Sequence, residues 1–370
     1  MQKDNNTTNL TRLLTSSASA WTSSRSQSCE PGQDDQIVLA SRVRLARNLA
    51  GQPFPAHLSP EIGQKVVASL FLALRHLEMA NNGKYILLKM KDLTPLQRSL
   101  LLEKHLISRE LTQALENQAV AIREDEAVAL MLNEEDHLRI QCLLPGFQPE
   151  EAWRIASEID DLLEEKLDYA FDPELGYLTT CPSNAGTGLR ASVLLHLPGI
   201  ILTKQQDMLL AQLNKVGMTA RGFYGEGTKA LGHIFQVSNQ VTLGLSEDNI
   251  LQGLKSVVSR LLEHERQARS RLLQEKGAVI EDQVWRSYGI MSQARLLPGK
   301  EFMERLSYLR LGLDLGIIEG IDRSLLNRLL IEAQPAFLQQ AKGQELDQLE
   351  RDKERAKLAN IRIGKTQREV

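Results

Sequence analysis

The chain has 370 residues, 42% of them hydrophobic, and its 44 Lys and Arg stand against 47 Asp and Glu for a net charge of −3. That content supports a substantial core with room for two domains, and the near balance of charge excludes the general attraction of a polybasic nucleic-acid or lipid binder. Three cysteines without a CxxC pair exclude a disulfide framework and a cysteine zinc site.

The first 35 residues are rich in Ser, Thr and Asn and carry no apolar run long enough for a signal-peptide core, so residues 1–35 read as a disordered polar tail. Residues 36–265 mix alternating and amphipathic segments, whereas 266–370 read as almost wholly helical, which divides the chain into two domains. Ser59-Pro60-Glu61 and Thr94-Pro95 are helix starts, each a capping hydroxyl followed by Pro at the first helical position. Trp153, Ala156, Ile159, Leu162 and Leu163 recur at helical spacing, as do Leu251, Leu254, Val257, Val258 and Leu261. Three segments alternate with a period of two: 137–144, 189–197 and 233–243. In the first, Leu138, Ile140, Cys142 and Leu144 share one face and His137, Arg139 and Gln141 the other; in the second, Arg190, Ser192 and His196 lie opposite an apolar set. One buried face and one arginine-bearing face predict an antiparallel sheet whose second face lines a site. The fold class expected is α+β, an antiparallel sheet flanked by helices and followed by an all-helical domain. No segment is long and apolar enough to span a bilayer. Neither a membrane nor a nucleic acid is expected as partner, and the sparse cysteines point to a reducing compartment, the cytoplasm.

The residues suited to chemistry sit beside those strands. Ala40-Ser41-Arg42-Val43-Arg44 brings alternating arginines, Asn133-Glu134-Glu135-Asp136 three carboxylates, Cys181-Pro-Ser-Asn-Ala-Gly-Thr-Gly-Leu-Arg190 a cysteine and two glycines, and Arg221-Gly-Phe-Tyr-Gly225-Glu226-Gly227 three glycines around an Arg and a Glu. Each alone is an ordinary solvated strand face or turn. Together, four arginine-bearing segments interleaved with two Glu-bearing loops fit a polyphosphate next to a cationic second substrate. Neither glycine loop matches GxxxxGK[ST] or GxGxxG.

The runs SRVRLARN, NEEDHLRIQ, CPSNAGTGLRAS and RGFYGEG resemble, in the same order, the signature segments of the ATP:guanido phosphotransferases, the family of creatine and arginine kinases. Within it, GLRASVLLHLPG, EKHLIS at 103–108, the helical extension and Arg351-Asp352-Lys353-Glu354-Arg355-Ala356 are similar to the bacterial protein-arginine kinase (McsB-type) branch. The resemblance implies a kinase using ATP and Mg²⁺, the metal held by ATP and not by a protein site. It implies nucleotide contacts at Ser41, Arg42, Arg44, His105, Arg139, Arg190, Ala191, Ser192, Val193, Leu194, Arg221, Gly222 and Gly225. Glu135 and Glu226 would grip the guanidinium, either being the base, with Asp136 close by and Cys181 at the substrate or regulatory position. Arg351, Asp352, Arg355 and Ala356 would form an allosteric phosphoarginine site.

The chemistry is coherent by itself: phosphoryl transfer needs alignment and compensation of negative charge, which arginines supply. A guanidinium is a poor nucleophile, so a carboxylate has to orient it and accept a proton. Cys181 reads either as a small buried hydrophobe or, beside several arginines, as a reactive thiolate; Cys142 reads as core. Metabolic guanidino kinases carry a helical domain ahead of the catalytic core, whereas a polar tail precedes Ser41 here, so a protein substrate with exposed arginines is expected over free arginine or creatine. A phosphoarginine-binding pseudokinase is the reading from another class. The resemblance further implies a homodimer, a McsA-type activator and a link to Clp proteolysis.

Overall fold

The computed structural model describes residues 11–16, 20–22, 37–113, 116–222 and 230–364. Ten strands form an eight-stranded antiparallel sheet and a small hairpin. They are β1 (Val38–Arg47), β2 (Tyr85–Lys89), β3 (Ala119–Arg123), β4 (Val128–Leu132), β5 (Leu138–Pro145), β6 (Phe171–Asp172), β7 (Gly176–Tyr177), β8 (Leu189–His196), β9 (Met218–Gly222) and β10 (Ile234–Asn239). The large sheet runs β2-β3-β4-β5-β1-β8-β10-β9, and β6 pairs with β7.

Among the helices around it are α1 (Pro60–Met79), α2 (Pro95–Glu103), α3 (Pro149–Glu164), α4 (Pro198–Leu202), α5 (Gln206–Lys215), α6 (Glu247–Gln293), α7 (Gly299–Asp314), α8 (Arg323–Glu332), α9 (Pro335–Lys342) and α10 (Gln348–Gly364). The expected starts hold. Ser59 Oγ accepts the Ile62 N–H, and Thr94 and Gln97 form a reciprocal capping box, with Pro at the first helical position in both.

The two faces of the sheet are covered differently, and this creates the site. One face, with Val43, Leu45, Leu138, Ile140, Cys142, Ala191 and Val193, packs under α1, α3, α5 and the first part of α6. The other is apolar only in places: Ile86, Val120, Ile122, Met131, Leu143, Leu194 and Ile234 lie under α7, α8 and the rest of α6. Between them the second face carries the arginines.

Two features of the structure bear on the expected organisation. The boundary expected at 265/266 falls inside α6, a 47-residue helix whose one break is at Lys276, with φ −138° and ψ 25°. Glu265 is itself fully buried, accepting the Gly199 and Ile200 N–H at 2.8 and 2.9 Å and pairing with Arg269 at 2.6 Å, and so fastens the first part of α6 to α4. The polar composition of 1–35 also hides apolar anchors. Residues 11–15 are helical, and Leu13, Leu14 and Trp21 are buried in the same core as the second face. Buried Lys104 fixes this segment by donating to the Leu13 carbonyl at 2.8 Å while pairing with Glu126 at 2.6 Å. The rest of 1–35 lies outside the described residues.

Candidate active site

Side chains two apart on a strand share a face, so β1 aims Arg42 and Arg44 together. The antiparallel register then sets Arg44 opposite both Gln141 and Arg190, and Arg139 opposite Ala46. Arg221, one residue before the end of β9, lies opposite Gln236 of β10 and shares its face. Five arginines from four strands thus share one surface. Arg221 is exposed and the other four are half-buried. The Nε–H groups of Arg42, Arg44 and Arg190 are buried without a hydrogen-bond partner among the described residues. Leaving a buried donor on a cation unsatisfied is costly, and the residues left here fit a polyphosphate.

Electrostatics point the same way. Burial and then Arg190 push the Arg42 guanidinium down to about 10. Burial, and then Arg42, Arg139 and Arg190, hold Arg44 well below its ordinary value against the pull of Glu134. Arg190 is lowered by burial, Arg221 and Arg139, with Glu135 and Cys181 opposing. These cations repel one another, and a bound anion removes that repulsion. Beside them a cleft of about 260 Å³ is lined by Ser183, Asn184, Arg190, Arg221, Asn239, Gln240 and Thr242.

His105 joins this face. It adopts φ +60°, its carbonyl accepts from Gln141 Nε2 at 2.7 Å, and it shares a small cavity with Trp21, Arg42, Ser192, Leu194 and Gln236. Its ring stands edge-on to Trp21 at 5.6 Å. Burial and then Arg42 push its imidazole down to about 3, so it is neutral in the working pH range.

The carboxylates come from the turn between β4 and β5. Arg139 gathers two of them, Nη1 with Glu134 Oε2 and Nη2 with Glu135 Oε2, both at 2.6 Å. The Glu135 side chain is 38% exposed and accessible to a second substrate, whereas that of Glu134 is 1% exposed. Glu134 is a site residue that sequence reasoning missed; the NEED run displays it, but only the register reveals that it neutralises Arg139. Cys181 is half-buried, with Sγ 3.0 Å from Ser183 Oγ. Glu226 and Gly225 lie outside the described residues.

Several expected site residues have other work. Ser41 is on the opposite face from the arginines, donating to the Gly146 carbonyl and accepting from the Gln148 N–H, each at 2.9 Å, and so closes the turn into α3. Ala191 and Val193 also point away, into the core, while Ser192 and Leu194 lie on the arginine face and Gly222 is buried at the end of β9. Asp136 is fully buried and accepts from Asn48 Nδ2 and the Thr180 N–H at 2.7 Å each; it supports the turn and does not reach into the cleft. Gly186 and Gly188 serve packing: with φ +98° and +65°, a Cβ on them would come within 2.8 Å of the Thr242 carbonyl and 2.6 Å of the Ala46 carbonyl.

Two family descriptions match this chain. "ATP:guanido phosphotransferase, C-terminal catalytic domain" covers residues 65–268, and "Protein-arginine kinase McsB C-terminal domain" covers 277–370, the two meeting around the break at Lys276. The chain belongs to the ATP:guanido phosphotransferase family. Among its relatives, a "Protein-arginine kinase" of Geobacillus sp. (strain WCH70) is 45% identical over 359 residues, 97% of this chain and 98% of that protein. One of Bacillus subtilis (strain 168) is 47% identical over 334 residues, 90% and 92% respectively. Solved guanidino kinases share the fold. A lombricine kinase structure matches with TM-score 0.55 at 24% identity, over 65% of this chain and 70% of that one. The duplicated taurocyamine kinase from Schistosoma mansoni with bound transition-state analogue components matches with TM-score 0.56 at 25% identity, over 74% and 40%.

In the C-terminal motif expected to form a phosphoarginine clamp, Arg355 is tied into the fold. Arg355 is buried, its Nε donating to the Ala333 carbonyl and its Nη1 to the Leu297 carbonyl, both at 2.9 Å, and to Asp352 Oδ1 at 2.6 Å. Ala356 is buried beside it and Arg351 is half-buried. Arg355 therefore ties α10 to the turn ahead of α7 and to the end of α8. Arg355→Ala leaves buried carbonyls and Asp352 unmatched and is expected to lower unfolding free energy by about 3 kcal/mol, read by urea denaturation. Unchanged stability with loss of phosphoarginine binding would instead assign Arg355 to the clamp.

Proposed function

We propose that this chain transfers the γ-phosphoryl group of ATP to arginine side chains of proteins. The observation that carries the transfer is the face of five arginines, three with buried unpartnered Nε–H groups, set directly beside the carboxylates of Glu134 and Glu135. The arginines cradle the nucleotide phosphates and hold the terminal phosphorus in line with the incoming nitrogen. Glu135, half exposed at the edge of this face, accepts a bidentate guanidinium and takes its proton as the N–P bond forms and the bond to the ADP oxygen breaks. Mg²⁺ arriving with the nucleotide supplies further charge compensation.

A protein substrate is supported by the C-terminal region matched at 277–370 and by relatives named for that substrate over nearly the whole chain. A McsA-type activator, homodimerisation and a link to Clp proteolysis are parts of the same proposal and rest on the resemblance alone. No described helix is long and apolar enough to cross a membrane.

ADP release measured with a folded arginine-bearing protein, the same protein with its arginines blocked by a dicarbonyl reagent, and free arginine tests the substrate class. Turnover with the unblocked protein only is the expected result. Equal turnover with free arginine would place the chain with the small-molecule kinases.

A further inference from the structure

Three segments distant in sequence meet around the guanidinium side of the site, and a single side chain joins them. Asn48 follows β1 directly and is 1% exposed. Its Oδ1 accepts the His137 N–H at 2.9 Å, and its Nδ2 donates to Asp136 Oδ1 at 2.7 Å and to the Leu178 carbonyl at 3.1 Å. The next residue, Leu49, donates its N–H to His137 Nδ1 at 3.1 Å. Asp136 Oδ1 accepts a second hydrogen bond, from the Thr180 N–H at 2.7 Å. The arginine strand, the turn bearing Glu134 and Glu135, and the loop entering Cys181 are thereby fastened at one point.

An amide is the group this position requires. One partner is a donor and two are acceptors, so the side chain has to offer both an oxygen and an NH₂, which Asp, Leu and Ser do not. The partners also fix which way the amide faces. Because Asn48, Asp136 and His137 are buried, these bonds are shielded from competing water, and loss of one leaves an unsatisfied group.

We propose that Asn48 is a positioning residue that, through Asp136, sets Glu135 and Cys181 at the separation a guanidinium needs. The inference rests on the phosphoryl-transfer reading above. Asn48 touches no reacting atom; it acts by holding the one-residue spacing between Asp136 and Glu135 on one side and between Thr180 and Cys181 on the other. Misplacing such groups by about 1 Å costs on the order of 100-fold in rate.

The test uses the full chain and three readouts. Asn48→Asp is nearly isosteric, lacks the NH₂ donor and sets a carboxylate against Asp136. It is expected to lower kcat about 100-fold, to leave ATP affinity unchanged because the phosphate arginines stay in place, and to change the iodoacetamide alkylation rate of Cys181, assigned by peptide mass. Asp136→Asn keeps an acceptor oxygen for Asn48 and Thr180 and is expected to lose far less activity than Asp136→Ala. If Asn48→Asp fails to fold, the two Asp136 variants read the same bridge from its other side. Wild-type kcat and Cys181 alkylation in a folded Asn48→Asp, or equal losses in the two Asp136 variants, would overturn the proposal. Alkylation and ATP affinity need no turnover. A wild-type chain that phosphorylates nothing would defeat the functional reading, while alkylation would still decide the bridge.

Discussion

Arg44→Ala is expected to cut phosphoryl transfer about 1000-fold and at the same time to leave the folded state as stable as before or more so. The two effects have one origin. Arg44 is half-buried at the centre of the cationic face, opposite Arg190 across β1 and β8, and is held well below its ordinary pKa by burial and by Arg42, Arg139 and Arg190. Without a bound anion these charges oppose folding, so truncating the central one relieves repulsion and removes a buried unpartnered donor. With ATP bound the same charge stabilises the phosphoryl group as it moves, and its loss is felt in the transition state. Arg44→Lys restores charge without the planar fork and recovers only part of the rate. Single-turnover kinetics paired with thermal unfolding check both signs. Activity within tenfold of wild type, or a fall in stability comparable to that of a core truncation, would contradict this account of the arginine face.

Glu135→Gln is expected to reduce transfer by about 100- to 10,000-fold with little change in ATP affinity. The glutamine is nearly isosteric but neither accepts a proton nor makes a charged bidentate contact with a guanidinium. Arg139 keeps its second partner, Glu134, at 2.6 Å, so the arginine face retains its alignment and the nucleotide still binds. Calorimetric ATP titration beside rapid-quench measurement of the chemical step separates the two. Parallel losses in affinity and rate would mean that Glu135 serves the nucleotide side.

The strands legible in the sequence are those whose two faces meet different surroundings. β5 and β8 alternate because one side is core and the other is the arginine face. β3 and β4 do not alternate, since Ala119, Ala121, Val128 and Leu130 lie in one core while Val120, Ile122, Ala129 and Met131 lie in the other. A strand covered on both sides reads as a plain apolar run, and periodicity is silent there. The N-terminal segment was obscured for a different reason: a few anchors, Leu13, Leu14 and Trp21, fix a stretch whose average composition is polar.

Within the site, strand parity explains what was visible. Arg42, Arg44, Arg139 and Arg190 share a face by alternation and register, and the same parity turns Ser41, Ala191 and Val193 away from it. The role of Asn48 depends on contacts between segments about 90 residues apart, as in its bond to Asp136, and no local pattern records it; Glu134 pairs with nearby Arg139, a contact that strand alternation alone does not indicate. Arg351 and Arg355, at i and i+4 on α10, share a face as expected, but the Ala333 and Leu297 carbonyls that bind Arg355 come from helix ends elsewhere in the chain.

The most direct test of the central claim is the chemical identity of the product. ³¹P NMR at mildly alkaline pH, where phosphoramidates survive, is to be recorded on the protein with Mg-ATP and an arginine-bearing protein, with Glu135→Gln in a parallel tube. The account predicts a phosphoramidate resonance on the protein substrate that is lost on acidification and nearly absent with Glu135→Gln. A phosphate-ester resonance, or a phosphoramidate of equal intensity in both tubes, would contradict it.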